Sequence, residues 1–271
     1  MHFDLIQTVS LAGKSSTPND DRVGCADRHT WVIDRATDVG EPGLLGDRGG
    51  AAWLASEAHS CLSRASGSLT EICNTMFDGV ANAYLTARCR EPIAEWEIPR
   101  AAFAMVAISG DSLACAFAGD CAVLHRGVAG VTFLTEPPNR EKERAEAAAL
   151  GAGATATDTR SPAVLANRRA SRSRPGTFLS VDRGRSRKST RVLTSPVGCG
   201  DDLLLMSDGF AALMETYKLY EPAELFDKML EKGLSALADE IRIIEREDAS
   251  CVRFPRFKPS DDASAIWVRV A

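Results

Sequence analysis

Four aspartate sites in this chain share one local grammar. Asp34 closes the apolar run TWVID, Asp208 follows LLLMS, and Asp261 with Asp262 stands immediately before ASAIWVRV. Asp20 with Asp21 follows a polar loop and precedes a short β-like stretch. Carboxylates at the mouths of apolar strands gather at one edge of a sheet core, where they repel one another strongly unless a cation intervenes. Mg²⁺ and Mn²⁺ are hard ions that prefer oxygen donors and keep several waters, so they suit an all-carboxylate set. Two such ions sharing one carboxylate, roughly 3.5–4 Å apart, would acidify a water between them for in-line attack on a phosphorus centre. Taken singly, each aspartate also reads as a turn-former that bonds its own backbone; the joint arrangement is what points to metal.

The elements that must position these groups can be read from periodicity. Residues 3–11 alternate as a strand, a Gly/Ser/Pro/Asn loop follows from Gly13 to Asn19, and Thr30 to Asp34 is a second strand. Apolar residues recur at helical spacing from Asp47 to about Ala65. Ser68 with Glu71 is a capping box, opening a helix whose inner face is Ile72, Met76, Val80 and Tyr84. Ala101–Ser109, Leu113–Ala118, Cys121–Arg126 and Val131–Thr135 then read as four short strands in an antiparallel meander. Asn139–Leu150 is a charged, alanine-rich helix, Thr177–Val181 a strand, and Asp201–Ser207 an apolar strand. Helices follow near 210–216, 222–232 and 234–246, the middle one opening on Pro222, and Ala263–Val270 is a last strand. Paired helices between runs of strands favour antiparallel sheets covered by helices over a doubly wound parallel sheet.

Bulk composition narrows the function classes. The 271 residues carry a net charge of −5, 45% hydrophobic and 6% aromatic residues, so no general attraction for nucleic acid or an acidic membrane is expected. The eight cysteines form no CxxC or Cys/His spacing, which argues against zinc and a disulfide scaffold and fits a reducing cytoplasm. The N-terminal residues resemble neither a signal peptide nor a membrane span. One segment, 160–191, is an exception: ten Lys or Arg face a single Asp182, and the stretch reads as a loop or flap around a short strand.

Taken in order, NDDR at 19–22, WVIDRAT at 31–37, FAGD at 117–120, LLLMSDGF at 203–210 and DDAS at 261–264 resemble the PPM, or type 2C, metal-dependent protein phosphatases. The resemblance spans nearly the whole chain. It implies an α+β fold, a four-layer α-β-β-α sandwich with two central antiparallel sheets, as one domain over 1–271 with the basic segment as its variable flap. It also implies hydrolysis of phosphoserine or phosphothreonine in a protein, or of a small phosphoester, with two divalent cations, Mn²⁺ or Mg²⁺. By position Asp34 would bridge both metals and the carbonyl of Arg35 would touch one; Asp208 and Asp261 would complete the first site and Asp20 would serve the second. Asp34 and Asp208 are thereby the catalytic pair, with Asp21 and Asp262 as supporting neighbours. Gly119 and Asp120 match a turn between central strands, either a plain hairpin turn or a catalytic part.

The chain departs from that family at four places. Arg35 stands where a glycine is usual and Ala36 where many members have a histidine. Ser16 lines up with the phosphate-binding arginine, leaving Lys14 or Arg35 to contact phosphate. Pro137 and Ala212 fall where aspartates hold a third metal. His2, His29, His59 and His125 match no motif and read as surface or packing residues. These departures define a competing reading, a regulatory pseudophosphatase that binds metal or a phospho-ligand without turnover. The sequence fixes neither substrate nor oligomeric state.

Overall fold

Period-two alternation decides where the two faces of each strand go, and the same alternation sets where Asp34 must point. The computed structural model describes residues 1–36, 38–41, 43–45, 49–149, 162–172 and 176–271. One sheet contains β1 (Phe3–Leu11), β6 (Ala122–Gly127), β7 (Gly130–Phe133), β10 (Asp202–Met206) and β11 (Ala263–Val270), in the order β1-β11-β10-β6-β7. The other contains β2 (Arg22–Cys25), β3 (His29–Arg35), β4 (Arg100–Ser109), β5 (Ser112–Ala118) and β9 (Arg191–Pro196) in that order, with the short β8 (Leu179–Ser180) paired to β4. All pairings are antiparallel.

Val32, Ala104, Val106, Leu203, Leu205 and Ile266 interlock between the two sheets. Their chain neighbours Trp31, Ile33, Phe103 and Met105 turn outward onto helices α1 (Gly50–Arg64) and α2 (Leu69–Ala87). On the opposite side Leu204, Met206, Ala265 and Trp267 meet α6 (Asp208–Glu215) and α7 (Pro222–Glu247). The result is the expected four-layer sandwich. Each buried Val, Leu, Ile or Phe contributes about 1.5–3 kcal/mol, and a one-residue slip of β3 would exchange Val32 for Trp31 and Ile33. The same slip would turn Asp34 to the wrong face, so the core locks the register of the site.

Helix signals held where capping and periodicity agreed. Ser68 Oγ accepts from Glu71 N at 3.3 Å and Glu71 Oε2 accepts from Ser68 N at 2.8 Å; Ile72, Met76, Val80 and Tyr84 are buried. Pro222 opens α7, and Gly233 breaks it with φ 79° and ψ 169°, dividing it as its two apolar stretches required.

Two expectations are corrected. The four strands from 101 to 135 are not one meander, because β5 lies in one sheet and β6 in the other; the chain changes sheets at Gly119–Asp120. The short strand expected in the basic segment is β8, but what flanks it is not mainly loop: α4 (Pro162–Arg172), α5 (Arg183–Ser189) and the start of β9 take up most of its described part, while 160, 161 and 173–175 lie outside the described residues. The segment's arginines are held by specific acceptors. Arg187 bonds Asn74 and Asp78 of α2 at 3.0 Å, and Arg169 Nε donates to Val39 O at 3.0 Å while its guanidinium stacks on Trp96. The predicted helix over 139–150 is α3 (Glu141–Ala149), and Asp47 and Leu150, the outer bounds of two predicted helices, lie outside the described residues.

Candidate functional site

The layer between the sheets opens at one end into a cleft of about 510 Å³, lined by Asp34, Asp120, Asp208 and Asp261 and by Arg35, Arg140, Arg168 and Lys258. Asp34 follows the facing of Val32 and lies opposite Ala102 in the β3–β4 ladder. Its Oδ2 accepts from the backbone N–H of Asp208 at 3.0 Å, so the N-terminus of α6 is docked on the end of β3. Ser207 N donates to Ser264 O at 2.9 Å and Ser264 N to Ser207 Oγ at 2.9 Å, which seats the chain before β11 beside α6. Gly209 permits that approach: a Cβ there would lie 2.0 Å from Asp262 O.

Asp262 organises the N-terminal loop, accepting from Gly13 N at 2.8 Å and Asp20 N at 3.2 Å. Arg35 Nε lies 3.1 Å from Asp20 Oδ2 and 3.3 Å from Asp262 Oδ2. Arg35 is not among the described residues with positive φ, so replacing a glycine there strains nothing; its side chain neutralises two carboxylates. Asp261 is fixed through its carbonyl, which accepts from Arg242 Nη2 at 2.9 Å, and its carboxylate pairs with Lys258.

Asp120 is a cleft residue, not a hairpin turn. Gly119 has φ 90°, and a Cβ there would lie 2.4 Å from Ala102 Cβ, so the crossover between sheets requires glycine. The following carboxylate is thereby swung into the cleft. Arg140, just before α3, pairs with Asp208 and reaches Glu143 at 3.1 Å and Asp120 at 3.7 Å.

Crowding of acids shows in their protonation. Asp34 is held well above the ordinary carboxylate value by burial and then by Asp208, Asp21 and Asp120. Asp21 is raised to about 7 by burial, then by Asp208, Asp261 and Asp262. Asp120, whose side chain still meets solvent inside the cleft, is raised to about 6 by desolvation of its recess and by Asp208. Asp208 goes the other way: burial alone would raise it, but Arg140, the hydrogen bond with Asp34 and Lys258 hold it below the ordinary value.

Both oxygens of Asp21 and Oδ1 of Asp208 are buried without a hydrogen-bond partner. Orphaned anionic oxygens of this kind are costly unless a cation meets them, and an all-oxygen donor set fits Mg²⁺ or Mn²⁺. The fit is to donor chemistry, not to a finished cage. Among the described residues no three His, Cys, Asp or Glu side chains form a metal-binding group, and Arg35, Arg140 and Lys258 already occupy several oxygens.

Of the residues singled out in the sequence, Asp34, Arg35, Asp208 and Asp261 line the cleft, while Asp20, Asp21 and Asp262 are buried beside it. Lys14 is exposed and does not line it. No histidine lines the cleft among the described residues. His29 bonds Leu62 O, His59 accepts from Trp31, and His125 pairs with Asp201. Sequence reasoning left Asp120 open between a hairpin turn and a catalytic part, and missed Arg140, Arg168 and Lys258. For Asp120 the signal was available, since LACAFAGD ends an apolar run in a carboxylate as TWVID does.

A family model described as Protein phosphatase 2C matches residues 12–246. A search of curated proteins finds no significant match. Among solved structures, the chain is similar to the Mycobacterium tuberculosis serine/threonine phosphatase PstP/Ppp, with TM-score 0.59, 13% identity, and coverage of 100% of this chain and 99% of that one. PppA, described as a key regulatory component of T6SS in Pseudomonas aeruginosa, gives TM-score 0.57 at 17% identity with 100% and 99% coverage. The catalytic domain of PstP in complex with 2 manganese ions gives 0.54 at 15% identity with 100% and 99% coverage. At these identities the structural likeness shows the fold.

Proposed function

Since the chain belongs to the protein phosphatase 2C family, we propose that it is a metal-dependent phosphatase that hydrolyses phosphoserine or phosphothreonine in a protein, or another phosphomonoester. The observation that carries this reading is the convergence of Asp34, Asp208 and Asp261 on one cleft, with orphaned oxygens on Asp208 and on neighbouring Asp21. Asp20, Asp34, Asp208, Asp261 and the carbonyl of Arg35 would hold two divalent cations, Mn²⁺ or Mg²⁺; the two manganese ions of the PstP catalytic domain support the choice. When bound, the ions supply an acidified water and countercharge for displacement at phosphorus.

The chain's own residues do the positioning. Asp34 accepts the Asp208 amide, which ties the end of β3 to the start of α6 and fixes the distance between the two catalytic carboxylates. Asp262, through Gly13 and Asp20, holds the N-terminal loop against the cleft. We assign the protein to the cytoplasm, where its eight free cysteines stay reduced. No helix among the described residues is long and apolar enough to cross a membrane.

A second reading, a pseudophosphatase that binds without turnover, is favoured by the three internal cations: Arg35 on Asp20 and Asp262, Arg140 on Asp208 and Lys258 on Asp261. One experiment separates the two. Purified protein is given p-nitrophenyl phosphate and a phosphothreonine peptide with Mn²⁺, with Mg²⁺ and with EDTA. Turnover that requires metal and falls on the order of 100-fold or more in Asp208→Asn, at an unchanged thermal midpoint, is expected for the enzyme. A wild-type protein that binds Mn²⁺ by calorimetry yet hydrolyses neither compound is the pseudophosphatase.

A further inference from the structure

Nearly every cation that lines the cleft is already engaged. Arg35, Arg140 and Lys258 pair with aspartates, Arg256 pairs with Asp248 at 2.6 Å, and Arg172 donates to Trp96 O at 3.3 Å. Lys142 is exposed. Arg168 differs from all of these. It lines the same cleft from α4, and among the described residues no carboxylate pairs with it at contact distance. Its Nε is buried without a hydrogen-bond partner.

The placement of Arg168 is built, not incidental. Its guanidinium lies over the Phe257 ring, 5.4 Å from the centroid, and Phe257 packs on Ala147 of α3. The same ring therefore supports both helices that roof the cleft. Arg169, the next residue, anchors α4 through Val39 O and Trp96, and Arg172, one turn on, reaches Trp96 O. The helix thus holds Arg168 over the side of the cleft that carries Asp208 and Asp261. Burial lowers the pKa of Arg168, and the nearby charges of Asp261, Glu143 and Asp208 offset that effect only at range.

A guanidinium that no carboxylate among the described residues contacts, its Nε buried and unpartnered and facing the acid-lined cleft, suits a tetrahedral oxyanion. A phosphate offers two parallel acceptor oxygens that match the guanidinium fork. We propose that Arg168, carried on α4, is the residue that binds the phosphoryl oxygens of the substrate, from the roof of the cleft opposite the carboxylates. Lys14, exposed and off the cleft, does not take this role. The inference rests on the phosphatase reading for its substrate class, but phosphate binding can be tested without turnover.

The test uses the full chain with Mn²⁺ present and titrates inorganic phosphate and a phosphothreonine peptide by calorimetry into wild type, Arg168→Gln and Arg168→Lys. Loss of a charge-assisted bidentate contact weakens phosphate roughly tenfold or more in Arg168→Gln, with partial recovery in Arg168→Lys, which restores charge but not the fork. Mn²⁺ affinity and the thermal midpoint stay at wild-type values, and where turnover is measurable KM rises more than kcat falls. Equal phosphate affinity in wild type and Arg168→Gln overturns the proposal, as does a wild type that binds no phosphate at millimolar concentration. An inactive wild type that nevertheless binds phosphate through Arg168 sinks the phosphatase reading and leaves this one standing.

Discussion

Asp208 receives opposite demands from its neighbours, since Asp34 accepts its amide while Arg140 holds its carboxylate. A divalent ion that takes both oxygens of Asp208 competes on Oδ2 with a guanidinium also engaged with Glu143 and Asp120. Arg140→Met removes that internal competitor and should tighten Mn²⁺ binding by roughly tenfold, the equivalent of one charge-assisted bond, as read by calorimetry. An unchanged affinity would mean that the guanidinium moves aside without cost. At this scale Asp34, Asp208 and Asp261 were legible because the first two follow apolar runs and the third stands just before one. Asp120 stands at the end of an equal run, and that signal was offset because Gly-Asp is also ordinary hairpin sequence. Arg140, Arg168 and Lys258 were not legible. Charged side chains on an alanine-rich helix or a loop carry no periodicity that marks which of them face inward.

Elements with an apolar period were recovered almost to the residue, and those held by charge were not. The helix from Ser68 declared itself twice, by capping box and by inner face, whereas α4 and α5 are fixed by arginines that meet Val39 O, Trp96 O, Asn74 and Asp78, all remote in sequence. The change of sheet at Gly119–Asp120 was hidden for a related reason: two short strands and a tight turn look alike whether they pair or part. Gly119→Val tests that crossover. At φ 90° with Ala102 Cβ 2.4 Å from the new Cβ, the side chain forces either backbone strain or a shift of β4. Unfolding free energy by urea titration should drop by about 1–3 kcal/mol, and the cleft should lose affinity for Mn²⁺ as Asp120 is displaced. A variant of wild-type stability would return Gly119 to the status of an ordinary turn.

For the whole molecule, the acid cluster links folding, pH and metal. Asp21 rises from 3.8 to about 7 on folding, so in the metal-free protein the folded state keeps a proton that the unfolded chain releases above about pH 4. Stability is therefore highest at the acid end of that window, falls as pH climbs toward about 7, and levels off beyond it. A thermal midpoint in EDTA that is higher at about pH 5 than at about pH 8, with Mn²⁺ raising it more at the higher pH, is the expected pattern; a midpoint indifferent to pH in EDTA would exclude Asp21 as a charge the fold has to suppress. Antiparallel sheets covered by helices were legible at this scale, because paired helices stand between runs of strands; the four layers came from the family resemblance, since β10 and β11 are nearly continuous apolar runs that show no alternation. The order of strands within each sheet was not legible. The most consequential case is β11, which lies between β1 and β10. A ribosome has released β1 long before β11, the neighbour β1 pairs with, has been made. The strand β1 must wait for the residues between Leu11 and Ala263 to be made, and so must the cleft, since Asp261 arrives with β11. A nascent chain that has not yet reached β11 therefore has no complete acid cluster.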